Sequence, residues 1–196
     1  MKIQKKNVIF VIEISLVYCV LSAGFSLVGT ILPDKMMLLN PIEHGGLNLK
    51  EIGGHFIWGL VAGIVTLRVR YMLLAGILAV LIDSDHLIGL LHVEAIPRMS
   101  HSITFAIIST IVLLLVFSKK DYRLGAIAFT SVLTHISYDM FDGSYGFPIF
   151  TPFANKIIQI PRTDWIVFEI AAICIVGIVS FMLTKKESDL KKINPG

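Results

Sequence analysis

Charge is what this sequence has least of. Only 16 % of its 196 residues are Asp, Glu, Lys or Arg, against roughly 25 % in soluble domains. That scarcity excludes a disordered chain or a coiled coil and argues against an ordinary soluble enzyme. Cysteine is almost absent. Cys19 and Cys174 stand far apart, each inside an apolar run, so there is neither a disulfide framework nor a CxxC metal site. Both read as small core or lipid-facing residues. An excess of one charge is also missing: 17 basic against 14 acidic residues leave a net +3. Without a basic stripe interleaved with aromatics, nucleic acid is excluded as a partner. No internal repeat or low-complexity segment breaks the chain.

Apolar residues are abundant, at 55 %, and mean hydropathy is +0.80. They fall in six long segments: Val8 to Leu32, Ile52 to Leu67, Tyr71 to Leu91, Ile103 to Phe117, Leu124 to Phe141 and Trp165 to Thr184. A spanning helix needs about 20 apolar residues, within a range of about 17–25. The second and fourth segments need their polar flanks as extra turns. The expected fold is an all-α, polytopic membrane helical bundle of about six transmembrane helices, forming one domain over 1–196. The first segment follows Lys2, Lys5 and Lys6 like a signal peptide, but it exceeds the roughly 7–15 residues of an h-region. The bulky Leu16, Val17 and Tyr18 before Cys19 make a poor lipoprotein cleavage site. The segment reads as a retained helix. Pro33 to Glu51 and Asp142 to Asp164, both rich in Gly and Pro, read as irregular loops.

Charge sets the orientation. The amino-terminal tail, the turns around Arg68 and Arg70 and around Lys119, Lys120 and Arg123, and the carboxy-terminal tail hold twelve of the basic residues. Lys35, Lys50, Arg98, Lys156 and Arg162 lie on the other side. The positive-inside rule makes the first group, and both termini, cytoplasmic.

Seven polar residues then fall at the non-cytoplasmic ends of four helices. They are His55, Asp83, Asp85, His86, His101, His135 and Asp139. A charged residue at the centre of a spanning helix costs about 2.5–3.5 kcal/mol on insertion scales, and neighbouring carboxylates repel. A divalent cation removes both penalties. Imidazole with carboxylate suits zinc first, with manganese or iron as alternatives. His135 and Asp139 share a helix face at i,i+4, and Asp83 and His86 share one at i,i+3. Asp85 is open to three roles: metal ligand, partner behind a ligating histidine, or ligand of a second metal. A set this large fits one or two metal ions, and two ions clamp both oxygens of a displacement at phosphorus. His92 is a weaker candidate, and His44 falls in an external loop. Ser100 and Ser102 read as caps or supporting donors. Gly59 and Gly63 form a small-xxx-small pattern that brings helices together, and Trp58 and Trp165 read as interfacial anchors.

The ordered elements Gly54-His55, Ile82-Asp83-Ser84-Asp85-His86, Arg98-Met99-Ser100-His101-Ser102, Thr134-His135-Ile136-Ser137-Tyr138-Asp139 and Gly146-Phe147-Pro148-Ile149-Phe150, with Thr151-Pro152-Phe153, resemble the YdjM-like, membrane-bound, predicted metal-dependent hydrolases. The likeness covers about residues 50–155. In the family an arginine precedes Thr-His-Ser, and here Ser100 replaces the threonine. His86 after the second aspartate is a further departure. The resemblance implies a multi-pass inner-membrane protein with metal-dependent hydrolase activity. Its HxxxD element is also distantly similar to those of zinc-dependent phospholipase C and P1 nuclease, which implies phosphoester cleavage.

The resulting expectation is a membrane-embedded hydrolase acting on a lipid or lipid-linked phosphoester at the outer leaflet. The seven residues hold the metal, which activates water. Asp85 is the candidate base, and Arg98 holds a substrate oxygen. Two other readings fit the same residues. A cation or proton transporter would place its polar groups near the midplane and show an inverted repeat. A scaffold braced by a structural metal would have closed coordination.

Overall fold

A computed structural model describes residues 5–43 and 48–193. His44 lies outside the described residues. Among those residues there are six α-helices: α1 (Lys5–Val28), α2 (Leu49–Ile64), α3 (Val69–Leu81), α4 (Ile103–Phe117), α5 (Tyr122–Asp142) and α6 (Trp165–Ile193). They coincide with the six apolar segments.

The helices divide into an outer set and one central pillar. On α1 only Ile14, Tyr18, Ser22 and Ser26 are buried. That one-in-four stripe is a single helix face, and the other faces carry exposed Ile12, Leu16 and Val20. α6 likewise exposes Val167, Ile170, Ile178 and Phe181. α5 is buried on nearly every side. Neighbouring helices shield it from lipid, so it tolerates Arg123, Thr130, Ser131, His135 and Asp139. Side chains from the surrounding helices bond to it or its cap: the Tyr18 hydroxyl lies 2.7 Å from the Ser131 hydroxyl, and Tyr71 donates to Asp121, the N-cap of α5, at 2.6 Å.

Three stretches are long and apolar enough to cross a membrane: Lys5–Val28, Val69–Leu91 and Arg162–Leu190, with Ile103–Phe117 a shorter apolar helix. The second and fourth segments, which need their polar flanks as extra turns, fall short of that length, and of the six it is the fifth that departs from expectation. α2 has only 16 residues, and α5 is too polar because its surroundings are protein.

α2 and α3 are packed unusually close. A Cβ on Gly59 would fall 2.4 Å from the Ala75 carbonyl oxygen, and one on Gly63 would fall 2.8 Å from the Ala75 Cβ. The small-residue reading of these glycines holds. Trp58 and Trp165 are part of an aromatic cluster with Tyr138 and Phe141.

The third segment departs from one regular helix. At Ile82 it tightens into a 3-10 run, Ile82–Leu91, which ends at His92 in the left-handed region. The carbonyl of Ile82 accepts from the Ser22 hydroxyl of α1 at 2.6 Å. At three residues per turn, positions i and i+3 eclipse, which stacks His86 over Asp83.

The two long connections, expected to be irregular loops, contain short antiparallel ladders. β1 (Met36–Met37) pairs with β2 (Glu94–Ala95), and β3 (Gly146–Phe147) pairs with β4 (Ile158–Gln159). Two-residue strands are too short to show alternation. At the opposite end of the bundle, Glu187 pairs with Arg68 at 2.6 Å and Arg123 at 2.9 Å. The turn before α3, the start of α5 and the end of α6 therefore meet there, as the charge pattern expected.

Candidate metal centre

Six of the seven expected residues converge on one point, and the seventh stands directly behind it. α5 contributes His135 and Asp139, one turn apart. The 3-10 run supplies Asp83 and His86, α2 supplies His55, and the residue before the α4 N-cap is His101. Ser102 is that cap and accepts from the Phe105 N–H at 3.1 Å, which holds His101 at the rim of α4.

The centre is the pair His101 and His135, whose Nε2 atoms are 2.8 Å apart. His135 Nδ1 donates to the Ala79 carbonyl at 2.6 Å. His101 Nδ1 donates to Asp85 Oδ2 at 3.2 Å. Both Nδ1 positions are thereby committed as donors, which leaves the two facing Nε2 atoms as the ring nitrogens available to a metal ion.

The carboxylates complete the shell. Asp83 Oδ1 lies 3.3 Å from His135 Nε2 and 3.7 Å from His101 Nε2. Asp139 Oδ2 lies 3.5 Å from His101 Nε2 and 3.6 Å from His135 Nε2. Tetrahedral zinc with arms of about 2.0–2.1 Å has donors roughly 3.3–3.4 Å apart, so these spacings fit a metal with little adjustment. His55 Nε2 is 3.4 Å from Asp139 Oδ1 and 3.5 Å from Asp83 Oδ2, and its ring stacks on His135 with centroids 3.7 Å apart. His86 Nε2 is 3.2 Å from Asp83 Oδ1. Two metal-sized groups result, His55–His135–Asp139 and Asp83–His86–His101. Buried His/Asp clusters able to hold a metal ion are therefore present.

Asp85 stands behind His101. Its Oδ2 accepts from both His101 Nδ1 and the Ser100 N–H, and it is absent from both groups. These contacts match the second of its three expected roles, orientation of a ligating histidine. Asp85→Asn is expected to keep the fold and lower metal affinity by about 10–100-fold, measured by competition with a chromogenic chelator. Unchanged affinity would remove the positioning role.

Arg98 pairs with Asp139, and its guanidinium lies over the Phe147 ring, 4.9 Å from the centroid. His92 caps the 3-10 run and is exposed, so it stays outside. Glu51 also reaches the site. It follows the α2 N-cap Asn48 by three residues and looks like a capping-box member, yet its carboxylate reaches 3.8 Å from His55 Nε2. Its i,i+4 spacing to His55 was the available signal. Glu51, His55, Asp83, His86, Arg98 and Asp139 line a cleft of about 160 Å³ above the centre.

The sequence profile of the YdjM inner membrane protein family matches residues 51–192. No curated protein and no solved structure matches the chain, and the remote likeness to phospholipase C and P1 nuclease gains no support.

Proposed function

The chain belongs to the YdjM inner membrane protein family, and from that premise we propose that it is a metal-dependent hydrolase of a phosphoester in a lipid or lipid-linked substrate. The observation that carries this reading is the 2.8 Å approach of His101 Nε2 and His135 Nε2 with both Nδ1 atoms already bonded. A divalent ion at such a site polarises a phosphoryl oxygen and lowers the pKa of water to about 7. The chain's own residues do the rest. Asp85 and the Ala79 carbonyl fix the two imidazoles. Arg98 is placed to bind a substrate oxygen. Glu51, at the cleft mouth, is better placed than the enclosed Asp85 to accept a proton. The cleft above the centre favours an open position over the closed coordination of a structural site. Grouping of the polar residues at one end of the helices favours a hydrolase over a transporter, which needs them near the midplane.

In this proposal all six helices cross the inner membrane. Both termini are cytoplasmic, and the site faces outward. The test of the metal reading is elemental analysis of the purified protein after equilibration with zinc, manganese or iron, followed by a phosphoester and lipid screen. Protein that takes up none of these metals would end it.

The orientation has its own test. Tyr145 is 62 % exposed beside the cleft, and Lys119 is exposed in the turn between α4 and α5. With Cys19 and Cys174 replaced by alanine, Tyr145→Cys should react with an impermeant thiol reagent in intact cells, and Lys119→Cys should not. The reverse pattern would turn the protein over.

A further inference from the structure

The cleft is not the only opening at the centre. A groove of about 250 Å³ runs beside it, walled by Met36, Met37, Leu38, Leu39, Ile88 and Pro97, and it also reaches Asp85, His86 and Arg98. His86 and Arg98 therefore line both the apolar groove and the polar cleft.

The wall of the groove is a built feature. A Cβ on Gly89 would fall 2.4 Å from the Leu39 carbonyl oxygen, so the Leu38–Leu39 backbone lies directly on the 3-10 run. Leu38 N–H donates to the Val93 carbonyl at 3.2 Å, and the β1–β2 ladder holds the two residues before it, Met36 and Met37. Met36, Met37 and Leu39 are nevertheless half exposed or more. Methionine is unbranched and adaptable, and it suits an alkyl chain of no fixed conformation. At the polar end, Arg98 Nε is buried without a hydrogen-bond partner. The 3-10 run closes the apolar stretch Val69–Leu91 and exposes Leu87, Leu90 and Leu91 nearby. Asp139 takes one terminal nitrogen of Arg98, and an apolar channel whose inner end holds the remaining Nε donor complements an amphiphile with an anionic head.

We propose that this groove takes one acyl chain of a membrane lipid whose net-anionic phosphate headgroup, with no compensating cation, is presented to His86 and Arg98. The inference rests on the hydrolytic reading of the cleft and names its substrate class, a lipid anchored by its own tail. A soluble phosphoester would have no use for the groove.

The test uses the full chain in phosphatidylcholine vesicles containing phosphatidic acid with a diazirine in one acyl chain. After irradiation, adducts are mapped by mass spectrometry. Adducts are expected on Met36 to Leu39 and on Pro97, well above those from a diazirine phosphatidylcholine. Met37→Trp and, separately, Leu39→Trp should fill the groove and cut these adducts about tenfold, what two buried methylene groups contribute. Their metal content should equal that of the wild type, showing that the fold is intact. Adducts confined to the outward faces of α1 and α6 would overturn the proposal, as would equal groove labelling by the two lipids. No groove adducts together with a change of oligomeric mass in Met37→Trp would assign the groove to a second copy instead. Labelling requires no turnover. Groove adducts without hydrolysis would leave the lipid site standing and remove the hydrolytic reading. Cleavage of a short-chain phosphoester without groove adducts would do the opposite.

Discussion

His135→Ala is expected to abolish metal binding. Its Nε2 is the atom that His101, Asp83 and Asp139 all approach, within 2.8–3.6 Å. Removing it takes a ligand from the His55–His135–Asp139 group and removes the atom against which Asp83 and His101 of the other group pack. A change behind a ligand costs about 10–100-fold in affinity, and loss of the central ligand should exceed that. The comparison is His92→Ala, an exposed histidine at the end of the 3-10 run, which should retain full metal content. Thermal unfolding gives an independent reading. Metal at 1,000 times its dissociation constant stabilises the native state by about 4 kcal/mol. A chelator should therefore lower the wild-type unfolding temperature and leave that of His135→Ala unmoved. Equal metal content in His135→Ala and His92→Ala would place the centre elsewhere.

The second large effect concerns packing. Gly59→Ala puts a methyl carbon 2.4 Å from the Ala75 carbonyl oxygen and 2.8 Å from the Gly76 Cα. Both are backbone atoms, so no side-chain rotation relieves the contact, and α2 must move away from α3. Overpacking of this kind costs about 1–3 kcal/mol. Because His55 lies one turn before Gly59 on the same face, the shift also draws His55 away from Asp83, and metal affinity should fall with stability. Gly53→Ala is the matched control. Nothing lies within 4 Å of its added carbon, and alanine is the better helix former by about 1 kcal/mol, so that variant should be as stable as wild type or more so. Equal unfolding temperatures for the two variants would show that the helices are not this close.

The sequence alone carried the six helices, because apolar runs of this length have few other uses. It also carried the residues of the buried His/Asp cluster. Burying His and Asp is costly enough that seven of them at corresponding helix ends have to be paired, and His135–Asp139 at i,i+4 and Asp83–His86 at i,i+3 already share faces. The close pass of α2 over α3 was legible too, in the Gly59–Gly63 spacing.

Three things were decided only by the tertiary structure. The contact of Asp85 with His101 follows from the 3-10 run, whose threefold period turns that residue toward the imidazole; local sequence does not determine where an α-helix tightens, because the Ser22 contact that captures the Ile82 carbonyl comes from α1. Glu51 reads as a helix cap until α2 is docked and its carboxylate meets the cleft. The polarity of α5, which conceals it from a test based on apolar length, makes sense only once its neighbours surround it. In each case the deciding contact joins residues distant along the chain. Periodicity reports the face a side chain occupies on its own helix, whereas these roles depend on which other helix that face meets.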